Sequence, residues 1–197
     1  MLYSTFKIFF SALFKIFHRY SITGRENIPE SGPVLIVSNH VSNWDPLLIG
    51  AAVQRKVSFM AKEELFRIPV VNFFITAWGA FKVKRGRGDR EAINRSLEVL
   101  AQGKVMGIFI EGRRNTKDPR KMLKPQHGAA MLAVKSGAPV VPAVLINSQK
   151  TLRSLRRVKI IFGNPLTFKD DPDMDKKDLY EKISLQIVDE IMKLKGA

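Results

Sequence analysis

Val34-Leu35-Ile36-Val37-Ser38-Asn39-His40-Val41-Ser42-Asn43-Trp44-Asp45-Pro46 joins an uninterrupted apolar run to a polar, helix-starting segment. Four consecutive aliphatic residues, three of them β-branched, predict a strand buried on both faces, as in the parallel sheets of α/β domains. The carboxyl end of such a strand holds a side chain rigidly and still exposes it to a ligand. His40 stands at that end, and Asp45 follows close enough to orient its imidazole. Asp45 also precedes Pro46, a suitable first helical residue, so a second reading is a polar loop with Asp45 as helix cap.

Outward from this junction the chain alternates short apolar runs with helical patterns. Strands are predicted at Val34–Ser38, Val57–Met60, Phe81–Lys84, Val105–Ile110, Val140–Ile146 and Lys159–Phe162. Helices are predicted at Leu47–Val53, Glu64–Ala77, Asp89–Ala101, Gly128–Ser136 and Lys177–Lys195. Leu179, Ile183, Ile187, Ile191 and Leu194 form one stripe along the last helix, which marks it for core packing. The order implies a single α/β domain over residues 21–197, with a largely parallel or mixed sheet flanked by helices. At 197 residues the chain can bury a sizeable core without a second domain.

Residues 1–20 read differently. Ser4, Lys7, Ser11, Lys15 and His18 recur at helical spacing, and Leu2, Phe6, Phe9, Phe10, Leu13 and Phe17 cover the rest of the surface. Lys7 and Lys15 interrupt the apolar length that a spanning helix needs. No small-residue cleavage site follows, which argues against a secretory signal. A broad aromatic face opposite lysines predicts an amphipathic helix lying in a membrane interface. Packing of the same helix on the domain core is the alternative.

Composition narrows the chemistry. The absence of cysteine excludes disulfides, thiolate metal sites and cysteine nucleophiles. Three scattered histidines make no metal-ligand cluster, so no metal is expected. A net charge of +15 calls for a polyanionic partner: nucleic acid, anionic lipid or a phosphorylated substrate.

Four segments at predicted strand ends carry candidate chemistry. In the first, neutral His40 can take a proton from an attacking hydroxyl, with Asp45 accepting its other N–H and stabilising the imidazolium. In the second, Gly79–Arg90, the cations Lys82, Lys84, Arg85, Arg87 and Arg90 are interleaved with three glycines. Arg85 can clamp a phosphate there, although a solvated basic turn has the same composition. The third is Ile108-Phe109-Ile110-Glu111-Gly112-Arg113-Arg114-Asn115, whose Glu111 can bind substrate hydroxyls, hold the arginines or pair with them on the surface. The fourth, Ala138–Val144, is a core strand in which Pro142 shapes a wall.

Together, and in this order, these segments resemble the four blocks of the glycerophospholipid acyltransferase family, most closely its small bacterial members, the 1-acylglycerol-3-phosphate acyltransferases. The resemblance covers roughly residues 20 to 165. It implies that His40 deprotonates the acceptor's sn-2 hydroxyl, that Asp45 orients His40, and that phosphatidic acid is the product. It further implies acceptor binding by Arg85, Glu111, Gly112 and Arg114, with Pro142 on the acyl-donor side. Acyl-CoA or acyl-carrier protein would be the co-substrate, with no cofactor, no metal and no covalent acyl-enzyme. A lipid acceptor and an anionic membrane surface would be the partners, and no nucleic acid. The protein would sit peripherally on the cytoplasmic side of the inner or plasma membrane.

Departures from the family pattern are local. Ile110 stands where the third block has proline, Arg113 and Asn115 replace hydroxyl residues, and Pro125-Gln126-His127-Gly128 replaces a Phe-Lys-x-Gly pattern. They leave open another lysophospholipid or an acylated sugar as acceptor. Two readings from other classes are a lipid-binding protein without catalysis and a basic nucleic-acid-binding domain, the latter supported by charge alone.

Overall fold

The computed structural model describes residues 7–8, 20–83, 90–119, 121–150 and 157–196. Most of the expected amino-terminal helix, with His18, lies outside the described residues, as do Arg85 and Asp89.

The described chain runs β1 (Ser21–Thr23), β2 (Val34–Ser38), α1 (Asp45–Ala52), β3 (Val57–Lys62), α2 (Pro69–Ala77), β4 (Ala80–Val83), α3 (Arg90–Ala101), β5 (Val105–Phe109), α4 (Gly128–Ser136), β6 (Val140–Ile146), β7 (Lys159–Phe162) and α5 (Lys176–Gly196). The strands form one sheet in the order β1-β7-β6-β2-β5-β3-β4. From β6 to β4 neighbouring strands are parallel, while β7 runs antiparallel to β6 and pairs in parallel with β1. The expected mixed sheet is therefore present.

Central β2 is buried along its whole length, and its alternate residues serve two different cores. Val34 and Ile36 face Leu48 and Ile49 of α1. Leu35 and Val37 face Leu100 of α3, Leu132 of α4 and Ile187 of α5. The stripe on α5 packs as expected, with Leu179, Ile183, Ile187 and Ile191 buried. Arg55 ties the amino edge of this sheet together through the carbonyls of Pro29, Gly32 and Gly103.

Two expectations change. The helix predicted over Glu64–Ala77 is two elements, a 3-10 turn at Glu63–Arg67 and α2. Pro69 supplies no N–H and pushes the preceding residue out of helical geometry, and Ile68 is accordingly extended at φ −94°, ψ 109°. Strand β1, too short to show an alternating pattern, escapes the sequence reading and exists by pairing with β7.

Candidate active site

The site is built on the carboxyl edge of two adjacent parallel strands. Ser38 pairs with Phe109 in the β2–β5 register, so the segments that follow, His40–Asp45 and Glu111–Asn115, emerge side by side. Asn39 extends the ladder on the other flank. Its side chain donates to the Leu145 carbonyl at 3.0 Å and accepts from the Leu145 N–H at 2.8 Å, copying a backbone pair.

His40 is held at every point except one ring nitrogen. Its N–H donates to Glu111 Oε1 at 3.0 Å, and its carbonyl accepts from the Asn115 N–H at 2.7 Å. Its ring stacks on Phe109 at 3.9 Å between centroids and 13° between planes. Nδ1 lies 2.8 Å from Asp45 Oδ2. That oxygen also accepts from the N–H groups of Val41 at 2.7 Å and Ser42 at 2.8 Å. Two backbone N–H groups already donate to this oxygen, so it acts as an acceptor toward the ring as well, Nδ1 carries the hydrogen and Nε2 keeps its lone pair. Asp45 is fully buried, and its Oδ1 has no hydrogen-bond partner among the described residues.

Asp45 is thus not a helix cap of the ordinary kind. It is the first residue of α1, and its carboxylate turns backward onto the loop that carries His40. Its negative charge at a helix amino terminus is favourable in its own right.

Glu111 is also buried, and both its oxygens are engaged by backbone, Oε1 with the His40 N–H and Oε2 with the Leu123 N–H at 2.9 Å. The carboxylate therefore joins the His40 loop to the segment before α4. Nearby, Lys195 of α5 donates to the Pro119 carbonyl at 2.8 Å. Burial lowers the basicity of this amine, opposed by the charges of Glu111 and Asp118.

A cleft of about 170 Å³ opens beside His40, lined also by Met60, Val83, Phe109, Gly112, Gln126 and Gly128. Gly112 has φ +64°, a left-handed conformation that favours glycine, and an added Cβ would stand 2.9 Å from Gln126 Cγ. Helix α4 begins at the cleft. It has no side-chain cap at His127 and no acidic residue in its first turn. First-turn N–H groups lack intrahelical partners, so the positive end of this helix is directed at the space beside His40.

Of the expected site residues, His40, Asp45, Glu111 and Gly112 come together. Arg114 is exposed two residues beyond Gly112. Pro142 is buried inside β6, beside Val37 and outside the cleft lining. Its carbonyl accepts from Gly163 at 2.8 Å, so its missing N–H falls on the flank where the β6–β7 ladder has already ended. Arg85 follows cleft-lining Val83 by two residues in sequence. The sequence reading missed Asn39, Phe109 and Asn115 as supports of His40. Asn39 and Phe109 directly precede or nearly precede expected site residues, and that adjacency was the available signal.

Among the described residues no group of three or more His, Cys, Asp or Glu side chains is placed to hold a metal ion. None of the described helices is long and apolar enough to cross a membrane.

Comparison with known proteins places this geometry in context. Residues 19–146 match the family model described as Acyltransferase. A 1-acyl-sn-glycerol-3-phosphate acyltransferase of Borreliella burgdorferi is 33% identical over 129 residues, 64% of this chain and 51% of the relative. This chain thus spans about half the length of that relative. The Bacillus subtilis protein of the same name is 29% identical over 161 residues, 80% of this chain and 78% of its own. The crystal structure of the 1-acyl-sn-glycerophosphate (LPA) acyltransferase PlsC from Thermotoga maritima superposes with a TM-score of 0.73. It is 25% identical in sequence, and the match covers 98% of this chain and 80% of that one.

Proposed function

The chain belongs to the acyltransferase family, and from that premise we propose that it transfers a fatty acyl group from acyl-CoA or acyl-carrier protein to the sn-2 hydroxyl of 1-acylglycerol-3-phosphate, giving phosphatidic acid. The observation that carries this reading is the 2.8 Å contact of His40 Nδ1 with Asp45, which leaves Nε2 as the basic atom of a residue lining the cleft.

In the proposed reaction Nε2 accepts the hydroxyl proton as the oxygen attacks the thioester carbonyl. The new C–O bond forms, the C–S bond breaks, and the departing sulfur takes the proton from the imidazolium. Asp45 stabilises that cation by charge, and the Phe109 face beneath the ring adds a cation–π contribution. The positive end of α4 suits the acceptor phosphate or the oxyanion of the tetrahedral intermediate. Arg85, just past Val83, is the proposed phosphate clamp. Glu111 acts through His40 by fixing its backbone.

Residues 1–20 are proposed to hold the protein on the cytoplasmic face of a membrane. Lys7 donates to the Gln54 carbonyl at 2.8 Å, and neighbouring Ile8 is 72% exposed.

The test is transfer of a labelled acyl group from each donor to lysophosphatidic acid in detergent micelles. Wild type and His40→Ala are compared, with Arg85→Gln alongside. His40→Ala should lose about 10²–10⁴-fold in kcat, and Arg85→Gln should raise KM for the acceptor more than it lowers kcat. Undiminished turnover in His40→Ala overturns the mechanism.

A further inference from the structure

Helix α2 is at odds with its surroundings. Pro69-Val70-Val71-Asn72-Phe73-Phe74-Ile75-Thr76-Ala77 contains no charged residue, yet none of its nine residues is buried. A helix this apolar ordinarily lies inside a protein or against another apolar phase. Instead Ile68 is 51% exposed, Val70 67%, Phe73 54% and Phe74 41%, and Leu65 of the preceding turn adds 40%. Spacings of three and four place Val70, Phe73 and Phe74 on one stripe. The helix is fastened at its end, where buried Trp78 lies against Gly50 and donates to the Pro46 carbonyl at 3.3 Å.

Charge at the rim identifies the kind of partner. Lys62, Arg67 and Lys82 are exposed around the stripe, and Lys82 Nζ stands 5.7 Å from the centre of the Phe66 ring. Lys84, Arg85, Arg87 and Arg90 follow in the sequence. Glu63 and Glu64 offset part of this, Glu64 through a 2.9 Å pair with Lys62. Aromatic side chains ringed by long flexible cations match a lipid interface, where the rings enter the acyl boundary and the amines reach headgroup phosphates. A symmetric contact between two copies would instead bring rim cations against each other. Position agrees. Met60 of β3 and Val83 of β4 line the cleft, and the exposed turn begins directly after β3.

We propose that Leu65–Phe74 is a lipid-insertion face that adds to the one proposed for residues 1–20 and seats the cleft mouth on an anionic bilayer, so that a lipid acceptor reaches His40 without leaving the membrane. The role in acceptor delivery rests on the acyltransferase reading; insertion itself does not.

The full chain and a Val70→Ser/Phe73→Ser/Phe74→Ser variant are floated with vesicles of phosphatidylcholine containing phosphatidylglycerol, and with pure phosphatidylcholine. Circular dichroism confirms that the variant is folded, which is expected because the altered side chains are exposed. Partitioning should fall by about tenfold or more. Acylation of a vesicle-embedded acceptor should fall with it, and acylation of a short-chain soluble acceptor should be retained. Arg67→Gln/Lys82→Gln should weaken binding to the anionic vesicles only. Unchanged partitioning of the triple variant overturns the proposal. So does dissociation of a dimer on mutation, seen by analytical ultracentrifugation without loss of vesicle binding. If the wild type partitions but transfers no acyl group, the enzymatic reading fails while the insertion face stands.

Discussion

The backbone N–H of His40 donates to Glu111 Oε1 across 71 residues of sequence, at 3.0 Å, and the second oxygen of the same carboxylate accepts from Leu123 at 2.9 Å. One buried side chain therefore ties the proposed base to the segment that leads into α4. The bond is made to the main chain of His40, so it constrains position and leaves the ring nitrogens free for Asp45 and for substrate.

Glu111→Gln keeps the size of the side chain but replaces one acceptor by an NH₂ group, which then faces a backbone N–H. A buried donor left unsatisfied costs about 1–3 kcal/mol. Denaturant unfolding should report that loss, and kcat should fall with little change in KM. Wild-type stability in Glu111→Gln would show that water replaces the contact.

Asp45→Asn preserves an acceptor for Val41 and Ser42 but removes the charge beside Nδ1. A fall of about 10²–10⁴-fold in kcat is expected, with KM for both substrates nearly unchanged. Steady-state kinetics on the folded variant checks this. A comparable rise in KM would mean that Asp45 serves substrate binding instead.

The ring of His40 is the end of a stack. Phe59 lies 5.6 Å from Phe109, which lies 3.9 Å from His40. An added Cβ at Gly107 would come 2.3 Å from Phe59 Cε1, so Gly107→Ala must push this stack aside. Overpacking of this kind costs about 1–3 kcal/mol. Gly107→Ala is expected to lower both the melting temperature and kcat. Loss of stability with full activity would show that the stack does not hold the imidazole.

Replacing Phe6, Phe9, Phe10 and Phe17 by serine should release the protein from liposomes while its circular dichroism and melting remain those of the parent. Continued tight binding would remove residues 1–20 from the membrane contact and leave the α2 face to account for it.

Much of the core architecture is legible in the chain because strand and helix periodicities are local. Val34–Ser38, Val140–Ile146 and Lys159–Phe162 form strands, and Gly128–Ser136 a helix, with the expected bounds. The helix expected over Glu64–Ala77 begins only at Pro69, because a proline there holds Ile68 out of helical geometry.

The sequence by itself brought His40 and Asp45 within reach of each other, because a strand end, a six-residue loop and a helix start leave that pair little room to separate. It also carried the two-sided burial of β2, through four apolar residues in a row. Only the tertiary structure decided what His40 stands on. Glu111, Phe109 and Leu145 reach the His40 loop because β2 lies between β5 and β6 in the sheet, an order that no local pattern encodes. The same holds for α2, whose apolar residues promise burial in the sequence, yet none of them is buried in the fold, where Trp78 just past its end is. Periodicity records which residues prefer to leave water, and chain topology decides which of them find a neighbour.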